Sequence, residues 1–273
     1  MDGLTSVPIV RIRNARREDA VDAAAVEAPL ELRVQGEPFA VMMRTPGADR
    51  DLAAGFLLAE RVIRCVDDLG TIEFCADRVS ATEPSGSVVN VTLDASIADA
   101  VLQRISARRD LLASAACGVC GRVTLDAMQA GLEPLAGDMT VAASVLASLP
   151  ARLRSRQPIF EFTGGLHAAG LFERDGTLIA AAEDIGRHNA VDKAIGSMLL
   201  ADRLPLSSSV LCVSGRTSYE ILQKAWCAGI PIVAAVSAPS SLAIALAERA
   251  GIALAGFVRG RGLNIYTRSD RIV

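Results

Sequence analysis

The sequence predicts an α/β protein in two parts, and three observations carry that expectation. From residue 159 onward, short apolar runs alternate with amphipathic, helix-length stretches. Before residue 133 the pattern is that of hairpins and single helices, with no such regular alternation. Between them, residues 133–158 hold Pro134, Gly137, Pro150, Ser155 and Pro158 together with the basic run Arg152, Arg154 and Arg156, the composition of a connection.

In the second half Ile159–Thr163, Leu178–Glu183, Ser209–Val213 and Ile230–Val236 read as strands. Asn189–Leu200, Thr217–Ala228 and Ser241–Ala250 read as helices, and Ala253–Val258 and Leu263–Thr267 close the chain as two short strands. Apolar strands separated by amphipathic helices imply a largely parallel or mixed sheet covered on both faces, so a three-layer α/β/α domain is expected over 149–273. In the first half Leu30–Val34 and Phe39–Arg44 alternate across Gln35-Gly36-Glu37-Pro38, a hairpin signal. A helix starts at Asp49 or Asp51 and carries Leu52, Phe56 and Leu57 at helical spacing. Thr71–Cys75 and Ser87–Thr92 fit strands, and Ser96–Ser106 a helix. These elements form a smaller N-terminal α/β subdomain, 21–148. Residues 1–20 carry Arg11, Arg13, Arg16, Arg17, Glu18 and Asp19 without an apolar h-region, so they are expected to be a flexible lead-in and not a signal peptide.

Composition narrows the function classes. The 273 residues are 51% hydrophobic and 22% charged, with a net charge of -3, which excludes a global polyanion binder and leaves no expected nucleic-acid or membrane partner. The uncharged stretch Ala225–Ala247 is long enough to cross a bilayer. Gly229, Pro231, Ser237, Pro239, Ser240 and Ser241 divide it into a strand, a turn and a helix start, so it reads as buried core.

The chemistry-bearing motif is Cys117-Gly-Val-Cys120-Gly121, inside a 111–121 loop of small residues. A Cys-x-x-Cys beside a helix start, here the run Thr124–Met128, has a lowered thiol pKa because unpaired N–H groups and peptide dipoles favour the thiolate. A structural zinc site would need a second Cys pair or a spaced His pair, and neither is present. Cys65, Cys75, Cys212 and Cys227 stand alone in apolar surroundings and read as small buried hydrophobes. Redox or sulfur-handling chemistry therefore ranks above metal binding, and no intrinsic metal is expected.

Ligands of such sheets collect where strand ends lead into helix N-termini. Ser214-Gly215-Arg216, after a strand, is a candidate phosphate cradle, although alone it reads as a helix cap with an exposed Arg. Glu183-Asp-Ile-Gly-Arg-His188-Asn189 crowds acids, bases and an amide into one turn, and these groups need partners or a ligand. The chain has two histidines, His167 and His188, and both fall in polar or Gly-containing connections rather than apolar stripes.

Gly164-Gly165-Leu-His167-Ala-Ala, Glu183 through Lys193, Ser214-Gly-Arg216, Val236 through Leu242 and Gly256-Phe-Val-Arg259, taken with the Cys pair, resemble the FdhD/NarQ family of formate dehydrogenase accessory sulfurtransferases. The resemblance runs in order from Glu27-Ala-Pro-Leu30 to Tyr266. Ala115-Ala116 departs from the serines usual before the first Cys, and Ala59-Glu60-Arg61 from a Glu-Gly ending. The resemblance implies a C-terminal domain with a cytidine deaminase-like fold, a homodimer and a cytoplasmic address. It implies a sulfur carrier that takes sulfur from a cysteine desulfurase as a persulfide on Cys117, assisted by Cys120. The sulfur passes to the molybdenum cofactor, Mo-bis(molybdopterin guanine dinucleotide), before its insertion into formate dehydrogenase.

By the same resemblance the guanine dinucleotide is held by Phe257, Val258, Arg259, Gly260, Arg261 and Gly262, with Ser214, Gly215, Arg216, His167 and His188 as further candidates. Those residue types suit phosphate and ring contacts, whereas without the family the loop reads as a hairpin turn with solvated arginines. Three other functions stay in view. A zinc deaminase needs His-x-Glu followed by Pro-Cys-x-x-Cys, but here His167 is followed by Ala168-Ala169 and the Cys pair lies upstream. A cofactor-binding chaperone would not need the thiols, and a thioredoxin-like oxidoreductase usually has a Pro between its cysteines.

Overall fold

The computed structural model describes residues 3–75, 87–109, 133–260 and 262–273. Among them are three sheets and seven helices. The first sheet is the hairpin of β1 (Leu4–Arg13) and β2 (Arg16–Ala25), paired from Leu4↔Ala25 to Arg13↔Arg16. This corrects the reading of residues 1–20 as a lead-in. Asn14 and Ala15 both take positive φ, 49° and 64°, the geometry of a two-residue hairpin turn. Of the charged residues that suggested a tail, Arg11 and Arg13 flank Ile12 in β1, and Arg16 to Asp19 open β2.

The second sheet has strand order β4-β3-β6-β5. Its strands are β3 (Ala28–Val34), β4 (Glu37–Arg44), β5 (Leu69–Phe74) and β6 (Val88–Leu93). The expected hairpin closes at Gln35 and Gly36, with φ of 54° and 80°. Helix α1 (Asp49–Ala59) packs on this sheet, and α2 (Ala95–Arg109) follows β6.

In the connection expected at 133–158 stands α3 (Ala143–Arg154), so a division at 148/149 falls inside a helix. Its Leu146, Leu149 and Leu153 are buried, the Leu135 N–H donates to the Ala250 carbonyl at 2.8 Å, and the Glu133 carbonyl accepts from Trp226 Nε1 at 2.8 Å. Pro and Gly there mark turns around a docked helix and not a free linker. Next comes α4 (Pro158–Thr163), a second correction, because this segment was expected to be a strand. Pro158 occupies its first turn, Glu183 accepts from the N–H groups of Ile159 and Phe160 at 2.9 Å each, and Gly164 ends it at φ 64°. The apolar residues of a six-residue segment do not separate the two periods; the distant carboxylate does.

The third sheet, with strand order β12-β11-β10-β9-β7-β8, fills the centre of the second half. Its strands are β7 (His167–Glu173), β8 (Leu178–Asp184), β9 (Ser209–Val213), β10 (Ile232–Ala235), β11 (Ala253–Arg259) and β12 (Gly262–Thr267). β9, β10 and β11 are parallel, while β7, β8 and β12 are joined by antiparallel pairings. Helices α5 (Arg187–Leu200), α6 (Tyr219–Cys227) and α7 (Ser241–Ala250) cover one face, which presents Leu171, Leu211, Val233 and Leu254. Helix α3 covers the other, packing with Phe172, Val210 and Ile232. The mixed sheet covered on both faces is therefore present, with β7 as the strand the sequence did not reveal. Ala225–Ala247 divides into the end of α6, β10 and the start of α7, and no helix among the described residues is long and apolar enough to cross a membrane.

The two halves share one core. Leu30, Leu32, Leu52 and Leu57 belong to the same buried cluster as Ile195, Leu199 and Leu222. Contact is closest where α1 crosses α5, because two glycines let the backbones touch. A Cβ on Gly196 would stand 1.9 Å from the Asp51 carbonyl oxygen, and one on Gly55 2.0 Å from that of Asp192. Gly196→Ala must push the helices apart, and we expect it to cost at least about 2 kcal/mol, read as a lowered urea midpoint. Unchanged stability would show that the helices do not cross at this distance.

Candidate functional site

The polar turn between β8 and α5 spends most of its groups on the protein itself. Asp184 and Lys193, 0% and 3% exposed, pair at 2.7 Å. Thr45, just after β4, is held from three sides. Its N–H donates to Asp184 Oδ2 at 3.1 Å, its hydroxyl accepts from the Ile185 N–H at 3.2 Å, and its carbonyl accepts from Lys193 Nζ at 2.7 Å. Asn189 Nδ2 donates to Asp184 Oδ1 at 2.9 Å and to the Met43 carbonyl at 2.8 Å. Arg44 grips Asp49 with two bonds of 2.9 Å beside it. The expectation that this turn needs partners or a ligand is thus met mainly from within: Glu183, Asp184, Asn189 and Lys193 build structure.

What remains of the turn, Arg187 and His188, faces a crevice at the carboxyl ends of β8 and β9. These strands flank β7 and run the same way, so α5 and α6 begin side by side. His188 Nε2 lies 3.0 Å from Ser218 Oγ and 3.8 Å from Glu220 Oε2. His167, at the start of β7, reaches the same place. A Cβ on Gly215 would stand 3.3 Å from His167 Nδ1 and 3.7 Å from Arg187 Cδ, so glycine keeps the floor of the crevice low. Ser214 Oγ accepts from the Ala168 N–H at 2.9 Å, whereas Arg216 is exposed at the rim. Burial, then the nearby Arg187 cation, pushes the His188 pKa down to about 4 and lowers that of His167 in the same order of causes. Both imidazoles are therefore neutral at pH 7.

On the α3 side of the sheet the crevice opens into a cavity of about 500 Å³ lined by Leu153, Arg154, Gln157, Phe160, Gly164, Gly165, His167, Ser214 and Val236. The β11–β12 turn adjoins it: Arg259 Nε donates to the Val236 carbonyl at 3.1 Å, and the Phe257 N–H to that of Ser237 at 3.2 Å. Phe257 (φ 52°), Arg259, Gly260 (φ 56°) and Gly262 are exposed. Val258 is 0% exposed and belongs to the core, so its side chain is not offered to a ligand.

The structure thus brings together His167, His188, Ser214 and Gly215, sets Phe257, Arg259, Gly260 and Gly262 beside the same cavity, and leaves Arg216 at its edge. Cys117, Cys120 and Arg261 lie outside the described residues. Of the other cysteines, Cys212 is buried and its thiol is pushed up to about 12 by desolvation, which makes it unreactive. Cys65, Cys75 and Cys227 are only half-buried, which corrects their reading as core residues. Arg187, Gln157 and Phe160 were not singled out from the sequence. Only Arg187 carried a signal, as the second base of a turn whose other groups pair off.

The profile described as the FdhD/NarQ family matches residues 25–273. The chain belongs to the FdhD/NarQ family. The β1–β2 hairpin lies almost wholly before the matched region. This FdhD/NarQ member is 48% identical over 268 residues to the sulfur carrier protein FdhD of Mycobacterium tuberculosis, covering 96% of this chain and 97% of that one. It is 50% identical over 258 residues to the protein of the same name from Anaeromyxobacter dehalogenans, covering 92% and 88%. A solved structure of a formate dehydrogenase accessory protein from Desulfotalea psychrophila matches with TM-score 0.75 and 27% identity over 99% of each chain.

Two outcomes follow from these contacts. Lys193→Met in the family member leaves Asp184 buried without its cation, and we expect about 3–5 kcal/mol of lost stability in urea unfolding. A near-neutral result would remove the pair from its structural role. For His188, the folded pKa of about 4 lies below the unfolded value near 6.5, so the unfolded chain binds the extra proton between them and stability falls as pH drops through that window. His188→Gln should flatten that fall, and NMR should find the native ring neutral at pH 6; a protonated ring there refutes the assignment.

Proposed function

We propose that this protein is a sulfur carrier for formate dehydrogenase maturation: it accepts sulfur as a persulfide on Cys117 and delivers it to Mo-bis(molybdopterin guanine dinucleotide) before that cofactor enters the enzyme. The observation that carries this reading is similarity to sulfur carrier proteins over nearly the full chain, in a sequence that keeps both Cys117 and Cys120. The cofactor is cargo here, not a resident group. The crevice and its adjoining cavity suit an anionic cargo with planar ends: imidazoles, a guanidinium and a glycine floor meet at the crevice, and the turn carrying the exposed Phe257 and Arg259 is bonded to Val236, which lines the cavity. The mixed sheet with helices on both faces is the part we read as cytidine deaminase-like.

The Cys117 thiolate attacks the outer sulfur of a desulfurase persulfide. A new S–S bond forms on Cys117, the donor's S–S bond breaks, and the donor leaves as a thiolate with no net oxidation. In delivery, Cys120 attacks the inner sulfur of the Cys117 persulfide and the outer sulfur departs as sulfide. The two electrons it carries leave a Cys117–Cys120 disulfide, which a cellular dithiol reductant reopens. In both steps the thiolate is the attacking form. Donor, client and a second copy of the chain are the expected partners, in the cytoplasm.

Zinc deamination is the weaker reading, since Ala169 stands where the proton-moving Glu would be. Intact-protein mass spectrometry after incubation with a cysteine desulfurase and cysteine tests the sulfur reading. We expect the mass of one added sulfur, removed by reductant and lost in Cys117→Ala. No gain beside an active desulfurase would leave a cofactor-binding chaperone as the function.

A further inference from the structure

The β1–β2 ribbon has the least support of any element in the fold. It is a sheet of two strands, about 30 Å long, and a hairpin of that kind is marginally stable by itself in water. Among the described residues only its base is held. The Gly3 carbonyl accepts from the Val26 N–H at 2.9 Å, a Cβ on Gly3 would stand 2.7 Å from Ile159 Cδ1, and α4 packs on β2. The matched family region begins at residue 25, where the ribbon joins the body, so the ribbon is an arm attached to that body.

The tip of the arm is cationic and uncompensated. Arg13 stands directly opposite Arg16, and Arg17 opposite Ile12. All three arginines are exposed, and none has an ion pair or a hydrogen bond among the described residues, whereas Arg11 is engaged by Asp22 at 3.7 Å. Like charges directly across a ladder repel, and a chain with a net charge of -3 gives this tip no general reason to be basic. Side chains alternate along a strand, so Ile12 shares its face with Val10 and, from β2, with Val21; the three are 67%, 45% and 67% exposed.

Arginine beside an apolar strip is the composition of a protein–protein interface. Glu18 and Asp19 follow the arginines directly in β2, so a uniformly anionic polymer or lipid layer is repelled next to where it is attracted, while a protein surface can match both signs. The base of the arm says which protein. A Cβ on Gly165, which lines the cavity of about 500 Å³, would stand 4.0 Å from the Ala25 Cβ at the end of β2, and α4 gives Phe160 to the same cavity. A protein gripped by the arm is thus held within an arm's length of the cavity rim.

We propose that the β1–β2 arm docks the protein that receives the cargo: Arg13, Arg16 and Arg17 pair with carboxylates on its surface, and Ile12, Val10 and Val21 cover an apolar strip beside them. That the receiver is formate dehydrogenase rests on the sulfur-carrier reading; the arm, its charge and its place at the cavity rim stand on the structure.

Binding of the full chain to immobilised formate dehydrogenase lacking its cofactor, followed over a salt series, tests this. The combined Arg13→Glu, Arg16→Glu and Arg17→Glu variant should associate about tenfold or more slowly at low salt and lose most of its salt dependence, because such charges act on the encounter. Ile12→Ser should instead speed dissociation. Persulfide loading of Cys117 by a desulfurase should be the same in both variants as in the wild type, since neither change touches the thiols. Unaltered association of the triple variant, or no binding by the wild type, overturns the proposal. So does loss of loading in the variants, which would make the sulfur donor the partner of the arm, and so does arm-dependent binding of equal strength to phosphatidylserine vesicles. A wild type that docks the enzyme through the arm but never gains sulfur overturns the sulfur-carrier reading alone.

Discussion

The site depends on one buried ion pair. Asp184 and Lys193 bracket the first turns of α5, and between them they bind the backbone of Thr45 from the other half of the chain. Buried pairs earn little net stability by themselves, but once built they must stay paired, because a lone buried charge is far more costly. The pair therefore acts as a latch. It fixes where the β4–α1 turn sits, hence where α1 crosses α5, and hence the direction in which the start of α5 presents Arg187 and His188. A second fully buried pair, Lys224 with Asp192 at 2.7 Å, ties α6 to α5 further along, and burial raises the Asp192 carboxyl to about 6 against the pull of Lys224.

With α5 and α6 locked side by side, the chemistry of the crevice follows from partial burial. Partial burial of His167 and His188, with the Arg187 cation near, disfavours the charged form of both rings. Neutral rings can donate or accept hydrogen bonds without adding charge. At the junction of the two helix N-termini stand the Arg187 guanidinium and the Glu220 carboxylate, each of which acts on His188. The apolar cavity across the sheet end supplies the complementary half.

Much of this could be read before the fold was known. The strands β3, β4, β6, β8 and β9 and the helices α1, α5, α6 and α7 stand within a few residues of their expected places, because each carries a clean period and a turn or cap signal. His167, His188, Ser214 and Gly215 were recognisable from residue type and position at strand ends. β7 escaped because Ala168, Ala169 and Gly170 have little strand preference of their own; they are a strand because β8 and β9 pair on both sides of them. The β1–β2 ribbon escaped because its charged residues resemble a tail, and α4 because its N-terminal N–H groups are satisfied by Glu183 from a strand 23 residues further on.

By itself, then, the sequence determined the periodic elements and the Cys117-Cys120 pair, which rest on neighbours within one or two turns of chain, and the mixed α/β layering and the family, which rest on the order of such local signals along it. Tertiary structure decided the roles within the polar turn. The two acids, two bases and one amide of the turn from Glu183 to Asn189 look alike as candidates in the sequence. Which of them are consumed as structure and which are left for a ligand depends on whether a partner such as Thr45 or Met43 arrives from well over a hundred residues away. Hydrogen-bond satisfaction is settled in space, and only there does Arg187 Nε emerge as a buried donor with no hydrogen-bond partner among the described residues.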